Sequence, residues 1–194
     1  MIKWMFDRTV AGIGLLLLWP ILLIIGIVCK IKMPDGAVFF CQKRVGQYGR
    51  LFNLYKFRTM QTHHDDSSIT IAGDERITPF GAFLRKYKLD ELPELWNVFI
   101  GDMSFVGPRP DVPGYADQLQ GTDRKILELK PGITGPATLK FRHEEELLAA
   151  QPDPKRYNDE VIWPDKVRIN IEYMNNRTFA GDIKIILQTL NICQ

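Results

Sequence analysis

From Val10 to Cys29 no residue carries a charge and nearly all are apolar. A run of about 20 such residues is long enough to cross the hydrocarbon core of a bilayer as a helix. Two features redirect that reading. Pro20 sits in the middle, where it removes a backbone hydrogen bond and bends the helix. Basic residues also flank both ends, Lys3 and Arg8 before the run and Lys30 and Lys32 after it, and cationic flanks favour the cytoplasmic side. A helix kinked at Pro20 that enters and leaves through one leaflet satisfies both demands. The carbonyls freed at the kink then need partners inside the protein. A helix that crosses the bilayer once stays open as the alternative.

Beyond Gly36 the period changes. Ala37 to Arg44 and Arg50 to Met60 read as strands around Gly46-Gln47-Tyr48-Gly49, a β-hairpin signal. In the second strand Leu54, Lys56 and Arg58 share one face, and Tyr55 and Phe57 take the other. Thr78-Pro79 is an N-cap followed by proline at the first helical position. That helix is expected to reach about Tyr87, burying Phe80, Phe83 and Leu84 and placing Arg85 near its C-terminal end. Leu89, Leu92, Leu95, Trp96 and Phe99 then recur at helical spacing, with Asp90 as N-cap and Pro93 in the first turn. Tyr115 to Leu129 is expected to be helical until Pro131-Gly132 stops it, and Thr134-Gly135-Pro136 is a rigid turn. Glu144-Glu145-Glu146 reads as a solvated helix face, Gln151 to Lys155 as a loop and Val167 to Met174 as a helix. An amphipathic helix starts at Asp182 as its N-cap and carries Ile183, Ile186, Leu187 and Leu190 on one side. The resulting expectation is an α+β fold, mostly helical, with a small β-hairpin and an N-terminal re-entrant membrane helix. Residues 1–32 form the membrane segment and 33–194 a cytosolic domain at the membrane surface.

The stretch Lys88 to Pro110 holds chemistry that packing alone does not require. Asp90 and Glu91 are adjacent carboxylates at a predicted helix start, where the helix dipole favours an ionised carboxylate and attracts phosphate. After the turn Gly101-Asp102-Met103-Ser104 comes Gly107-Pro108-Arg109-Pro110, where two prolines restrict the backbone around a group suited to bidentate phosphate binding. A carboxylate pair can also be a plain cap, and an arginine between prolines a plain loop residue. Lys56 and Arg58, two cations on one strand face, and Arg85 could reach the same phosphates.

Composition narrows the classes. The chain has 194 residues, suited to one domain, and a net charge of +2, too small to argue for nucleic acid. Cys29, Cys41 and Cys193 are odd in number and lack metal-like spacing, so neither a disulfide framework nor a zinc site is indicated. His63-His64-Asp65-Asp66 invites a metal reading, but adjacent histidines diverge and the flanking residues are those of a polar loop. No internal repeat or signal-peptide cleavage site is visible.

Taken together, Leu89-Asp90-Glu91-Leu92-Pro93, Trp96-Asn97-Val98 and the run from Gly101 to Pro110 resemble the bacterial sugar transferases, the monotopic polyprenyl-phosphate phosphoglycosyl transferases. Tyr55-Lys56-Phe57-Arg58-Thr59-Met60 and Lys130-Pro131-Gly132-Ile133-Thr134-Gly135 match as well, so the resemblance covers essentially the whole chain. It implies transfer of a sugar-1-phosphate from a UDP-sugar to undecaprenyl phosphate, releasing UMP, as a first membrane step of surface glycan synthesis. It implies Asp90 as nucleophile, Glu91 handling Mg²⁺ or protons, and Asp90 and Glu91 as metal ligands. Lys56, Arg58, Arg85 and Arg109 become phosphate partners, and Pro20 the family's membrane kink on the inner face of the bacterial cytoplasmic membrane. Membrane lipid is then a partner, and a homodimer is an allowed state that the sequence does not decide. Two departures stand out: Asn170 replaces an aspartate common in the family, and Pro136 to Pro164 differs from the commoner form, which bears on the sugar rather than the reaction. A bitopic enzyme with direct transfer, or a membrane-anchored interaction module without activity, would carry many of the same residues.

Overall fold

The computed structural model describes residues 2–61 and 74–190. The His63-His64 pair and Cys193 lie outside them. The described residues divide into two compact units: 2–43, 53–61 and 74–101 in the first, and 44–52 and 102–190 in the second.

The first unit is built on helix α1, Ile2–Lys32, which is helical without interruption through Pro20. The expected helix-break-helix is therefore a single helix in secondary structure. It is long and apolar enough to cross a membrane, and Leu16, Leu17, Trp19, Leu23, Ile24 and Ile27 along it are exposed. Its C-terminal part, Ile25, Cys29 and Met33, packs into a core with Phe57 and Leu84, which Leu89 and Leu92 partly cover. Its N-terminal part packs on α3, Glu94–Ile100. Gly12 leaves just enough room there, since a Cβ would stand 3.1 Å from the Phe99 ring. Arg8 Nη2 donates to the carbonyl of Ile100 at the end of α3, one of the carbonyls a helix terminus leaves without an intrahelical partner.

Helix α2, Pro79–Lys86, begins as the sequence predicts: Thr78 Oγ1 accepts from the Gly81 N–H at 3.0 Å, and Pro79 occupies the first turn. Leu84 is fully buried, but Phe83 is half exposed. Phe80 and Leu84, one turn apart, share the core-facing side, so Phe83 is rotated out and meets Tyr87 at a tilt, with ring centroids 5.0 Å apart.

The hairpin pairs β1, Phe39–Val45, with β2, Leu51–Phe57. Tyr48 (φ 60°) and Gly49 (φ 77°) are both left-handed, and Arg50 N–H donates to Gln47 O at 3.2 Å. This is the primed turn whose twist matches that of the flanking strands. Strict alternation along β2 fails: Leu54 and Phe57 are both buried, on a strand with one hydrogen-bonded neighbour among the described residues.

The second unit carries the tip of that hairpin and a parallel pair, β3 (Ser104–Val106) with β4 (Gly132–Thr134), which the sequence reading missed. Glycine is required at the crossing of these segments: a Cβ on Gly107 would lie 2.2 Å from Lys130 O. The expected helix Tyr115 to Leu129 is instead two short 3-10 turns, Ala116–Gln118 and Asp123–Glu128. Helix α4 is Pro136–Lys140, α5 Glu144–Ala149 and α6 Pro154–Tyr157, and a π turn, Asn158–Ile162, leads into α7, Trp163–Asn176. The last helix, α8, is Phe179–Thr189. Its N-cap is Thr178, not Asp182, which is buried and accepts from Tyr173 Oη at 2.6 Å.

Candidate functional site

Asp90 does not cap a helix. Pro93 has no N–H to donate to a capping carboxylate and itself stands at the N-cap of α3, so Leu89–Glu91 form a 3-10 turn ahead of that helix. Lys88, just before the turn, has φ 55°, a left-handed conformation that a residue with a Cβ adopts at a cost and that recurs at functional sites. No sequence signal marked Lys88. The backbone there turns the Asp90 side chain inward.

Asp90 is 6 % exposed, and its Oδ1 is buried without a hydrogen-bond partner. Burial pushes its carboxyl above the usual carboxylate range and the adjacent Glu91 adds to this, while Lys56, Arg85 and Lys88 pull it back. Lys56 Nζ stands 2.9 Å from Glu91 Oε1 and 3.1 Å from Oε1 of Glu94, whose side chain is 2 % exposed. Arg85 Nε donates to Thr59 Oγ1 at 3.1 Å. The first unit thus brings Asp90, Glu91, Lys56 and Arg85 together, as the sequence suggests, and adds Glu94, which sequence reasoning overlooked.

Arg58 goes elsewhere. It is buried and donates to the carbonyls of Met33 and Asp35, so it ties down the chain leaving α1. Alternation would put Lys56 and Arg58 on one face, but β2 ends at Phe57, one residue before Arg58. Arg109 belongs to the second unit, where it lines a crevice of about 20 Å³ with Asp111, Val45 and Pro108.

Helix α3 turns its polar side inward. Glu94 and Asn97 are buried with Val98, while Trp96 (47 % exposed), Phe99 and Ile100 face out. Asn97 Nδ2 donates to Asn53 O at 2.7 Å and its Oδ1 accepts from Tyr55 N–H at 3.2 Å, so the amide clamps the strand that carries Lys56. The apolar periodicity of 89–99 is real, but part of it marks an outer surface rather than a core.

The sequence pattern of the bacterial sugar transferases matches residues 1–194. The chain belongs to the bacterial sugar transferase family. Among curated members of that family, it is 37 % identical over 191 residues to the UDP-glucose:undecaprenyl-phosphate glucose-1-phosphate transferase of Xanthomonas campestris pv. campestris, covering 94 % of this chain and 37 % of that protein. It is 35 % identical over 190 residues to the uncharacterized sugar transferase EpsL of Bacillus subtilis (strain 168), covering 97 % and 85 %. It is 34 % identical over 197 residues to the UDP-N-acetylgalactosamine-undecaprenyl-phosphate N-acetylgalactosaminephosphotransferase of Aeromonas hydrophila, covering 97 % and 43 %. The chain spans about two fifths of the length of the first and third of these bacterial sugar transferases.

Proposed function

We propose that the protein transfers a sugar-1-phosphate from a UDP-sugar to undecaprenyl phosphate, yielding the diphosphate-linked sugar lipid and UMP, with Asp90 as a covalent nucleophile. The observation that carries this reading is Asp90 itself: a buried carboxylate with one oxygen free of hydrogen bonds, beside the cations Lys56, Arg85 and Lys88. An oxygen so placed is desolvated and available. In the first step it attacks the sugar-bearing phosphorus, and the bond from that phosphorus to the bridging oxygen breaks as UMP departs. In the second, a phosphate oxygen of undecaprenyl phosphate attacks the same phosphorus and the aspartyl–phosphorus bond breaks, restoring the carboxylate. Splitting one displacement into two predicts ping-pong kinetics. Lys56, Arg85 and Arg109 offset phosphoryl charge, the main contribution a protein makes in such transfers. Arg58, whose Nη1 and Nη2 donate to the carbonyls of Asp35 and Met33, keeps only the phosphate role that the family resemblance implies.

The carboxylates also suit Mg²⁺, which takes one or two carboxylates plus substrate phosphates. Asp90 has an unbonded oxygen and Glu91 raises the local negative potential, so these two residues would hold the ion. Bound there, it would neutralise phosphate charge on the substrate.

The test is release of UMP from a panel of UDP-sugars with undecaprenyl phosphate and Mg²⁺. A labelled phosphosugar should remain on the protein when the lipid is omitted. Turnover without any trapped label would point to direct transfer, and no UMP from any UDP-sugar would remove the enzymatic reading. The differing sugars in the relatives' names, glucose and N-acetylgalactosamine, are why a panel is required.

The membrane reading belongs to the same proposal: residues 1–32 form a re-entrant anchor and 33–194 a catalytic domain on the cytoplasmic face. Contacts near residue 8 support it, since Arg8 donates to Ile100 and Gly12 abuts Phe99, both on α3, which follows the Asp90 turn. A helix that crossed the bilayer would carry its first residues away from that unit. Exposed Trp96, Phe99 and Ile100 on α3 extend the lipid-facing surface. A cysteine in an N-terminal tag is therefore expected to react with an impermeant maleimide only after the cytoplasmic side is opened. Reaction from the periplasm in intact cells would overturn the topology. Pro20→Leu is expected to shift part of the population toward that outward labelling.

A further inference from the structure

The inner face of α3 grips β2 at two points. Asn97 holds the strand's backbone through Asn53 O and the Tyr55 N–H. Glu94, one turn earlier on the same buried face, takes the side chain that follows: its Oε1 stands 3.1 Å from Lys56 Nζ. Lys56 Nζ also donates to Glu91 Oε1 at 2.9 Å. The side chain of Glu94 is 2 % exposed and that of Lys56 16 %, so the lysine reaches from a partly open position to a closed one. The ammonium held there acts on the Asp90 carboxyl.

Neither the helix nor the stability of the fold calls for a buried acid at this position. A carboxylate in the first turn favours the helix dipole from the surface as well as from the interior. A buried ion pair is seldom more stable than neutral groups of the same shape, because desolvation offsets the attraction. What the pair does fix is the place of the ammonium, which otherwise swings on a flexible four-carbon stem. Glu91 cannot fix it alone. In the reading above the same carboxylate serves Mg²⁺, and two cations repel each other across it.

We propose that Glu94 is a positioning residue that keeps the Lys56 ammonium beside Asp90, ready for the diphosphate of the nucleotide-sugar. The inference rests on the reading of Lys56 as a phosphate ligand. A cation already held in place loses less freedom when the phosphate arrives, so binding is tighter than with the same charge on a free stem.

The experiment is calorimetric titration of UDP, with Mg²⁺ present, into the full-length protein. The set is wild type, Glu94→Gln, Glu94→Asp and Lys56→Met/Glu94→Gln, with melting temperatures alongside. A Glu94 that acted only through its field would give the opposite sign. Glu94→Gln would then remove a negative charge near a polyanion and tighten UDP, while Glu94→Asp, which keeps the charge, would change little. Positioning predicts that both weaken UDP by about fivefold, part of the roughly tenfold or more that one charge-assisted contact carries. Glu94→Asp loses affinity because its carboxylate is drawn back by one methylene. Glu94→Gln should stay folded, since Lys56 keeps Glu91 and an amide oxygen still accepts. Should it be too unstable to titrate, Glu94→Asp decides. Turnover adds a readout that loss of folded protein does not move. With a UDP-sugar that the panel identifies, KM should rise about fivefold with kcat near wild type, whereas a smaller active fraction lowers kcat at constant KM. UDP affinity at or above wild type in either folded single variant, or a fall in kcat alone, overturns the role of Glu94. A double variant that binds UDP as wild type does removes the reading of Lys56 as well.

Discussion

Replacing Asp90 by asparagine is expected to cut UMP release by about three orders of magnitude or more, the scale seen when an enzymatic nucleophile is removed. The protein should nevertheless melt at the same temperature as wild type or higher. The two halves have separate causes. An amide is no substitute for a carboxylate at phosphorus, so the covalent step is lost. Stability follows from burial, which holds the Asp90 carboxyl above its ordinary range, reinforced by Glu91 and only partly opposed by Lys56, Arg85 and Lys88. Because the folded value exceeds the unfolded one, the native state retains a proton that the unfolded chain has already released. Stability is therefore lost as pH rises from the unfolded value through the folded one, and above the folded value the ionised group carries its full penalty. A neutral amide escapes it. The melting-temperature difference between Asp90→Asn and wild type should widen as pH rises above the unfolded carboxylate value and close as pH falls toward about 4. Turnover surviving in a folded Asp90→Asn protein would end the covalent reading.

The sequence carried that site unevenly. Local signals were legible wherever the physics was local: Thr78-Pro79 started α2, the glycines around Gln47-Tyr48 made the hairpin turn, and the uncharged run became α1. The spacing of apolar residues over 89–99 shows a helix but not which of its faces is buried. Trp96, Phe99 and Ile100 face out while Glu94 and Asn97 face in. Pro93 also separates the Asp90 turn from α3, so the cap assignment failed even though the residue proved central. Strands β3 and β4 are three residues each, too short to show a period, and only their glycine-mediated approach reveals them. Long-range charge partners left no trace in the chain order. Nothing near Lys56 announces that Glu94 will meet it, and nothing near Asp111 announces Lys166 or Glu144.

Lys56 is where this last omission changes what should be measured. As a phosphate-binding cation alone, its removal would weaken substrate binding and leave the fold intact. The structure gives it a second task, since it neutralises Glu94, which is almost wholly buried, together with Glu91. Breaking a buried ion pair from one side strands the remaining charge and costs about 3–5 kcal/mol. Against a total stability on the order of 5–15 kcal/mol, Lys56→Met should lower the melting temperature steeply or leave little folded protein. Lys56→Met/Glu94→Gln removes both charges and should regain most of that stability, because replacing a buried pair by neutral groups is often close to neutral. Activity should not return with it. Lys56 is also one of the groups holding the Asp90 carboxyl down, so its loss moves that carboxyl further up. The acid limb of the pH–rate profile in the double variant should then shift to higher pH, and turnover at neutral pH should stay about tenfold or more below wild type. Melting curves and pH–rate profiles of wild type, the single and the double variant decide the matter. A double variant with wild-type turnover and an unmoved acid limb would reduce Lys56 to a structural counter-ion for Glu94.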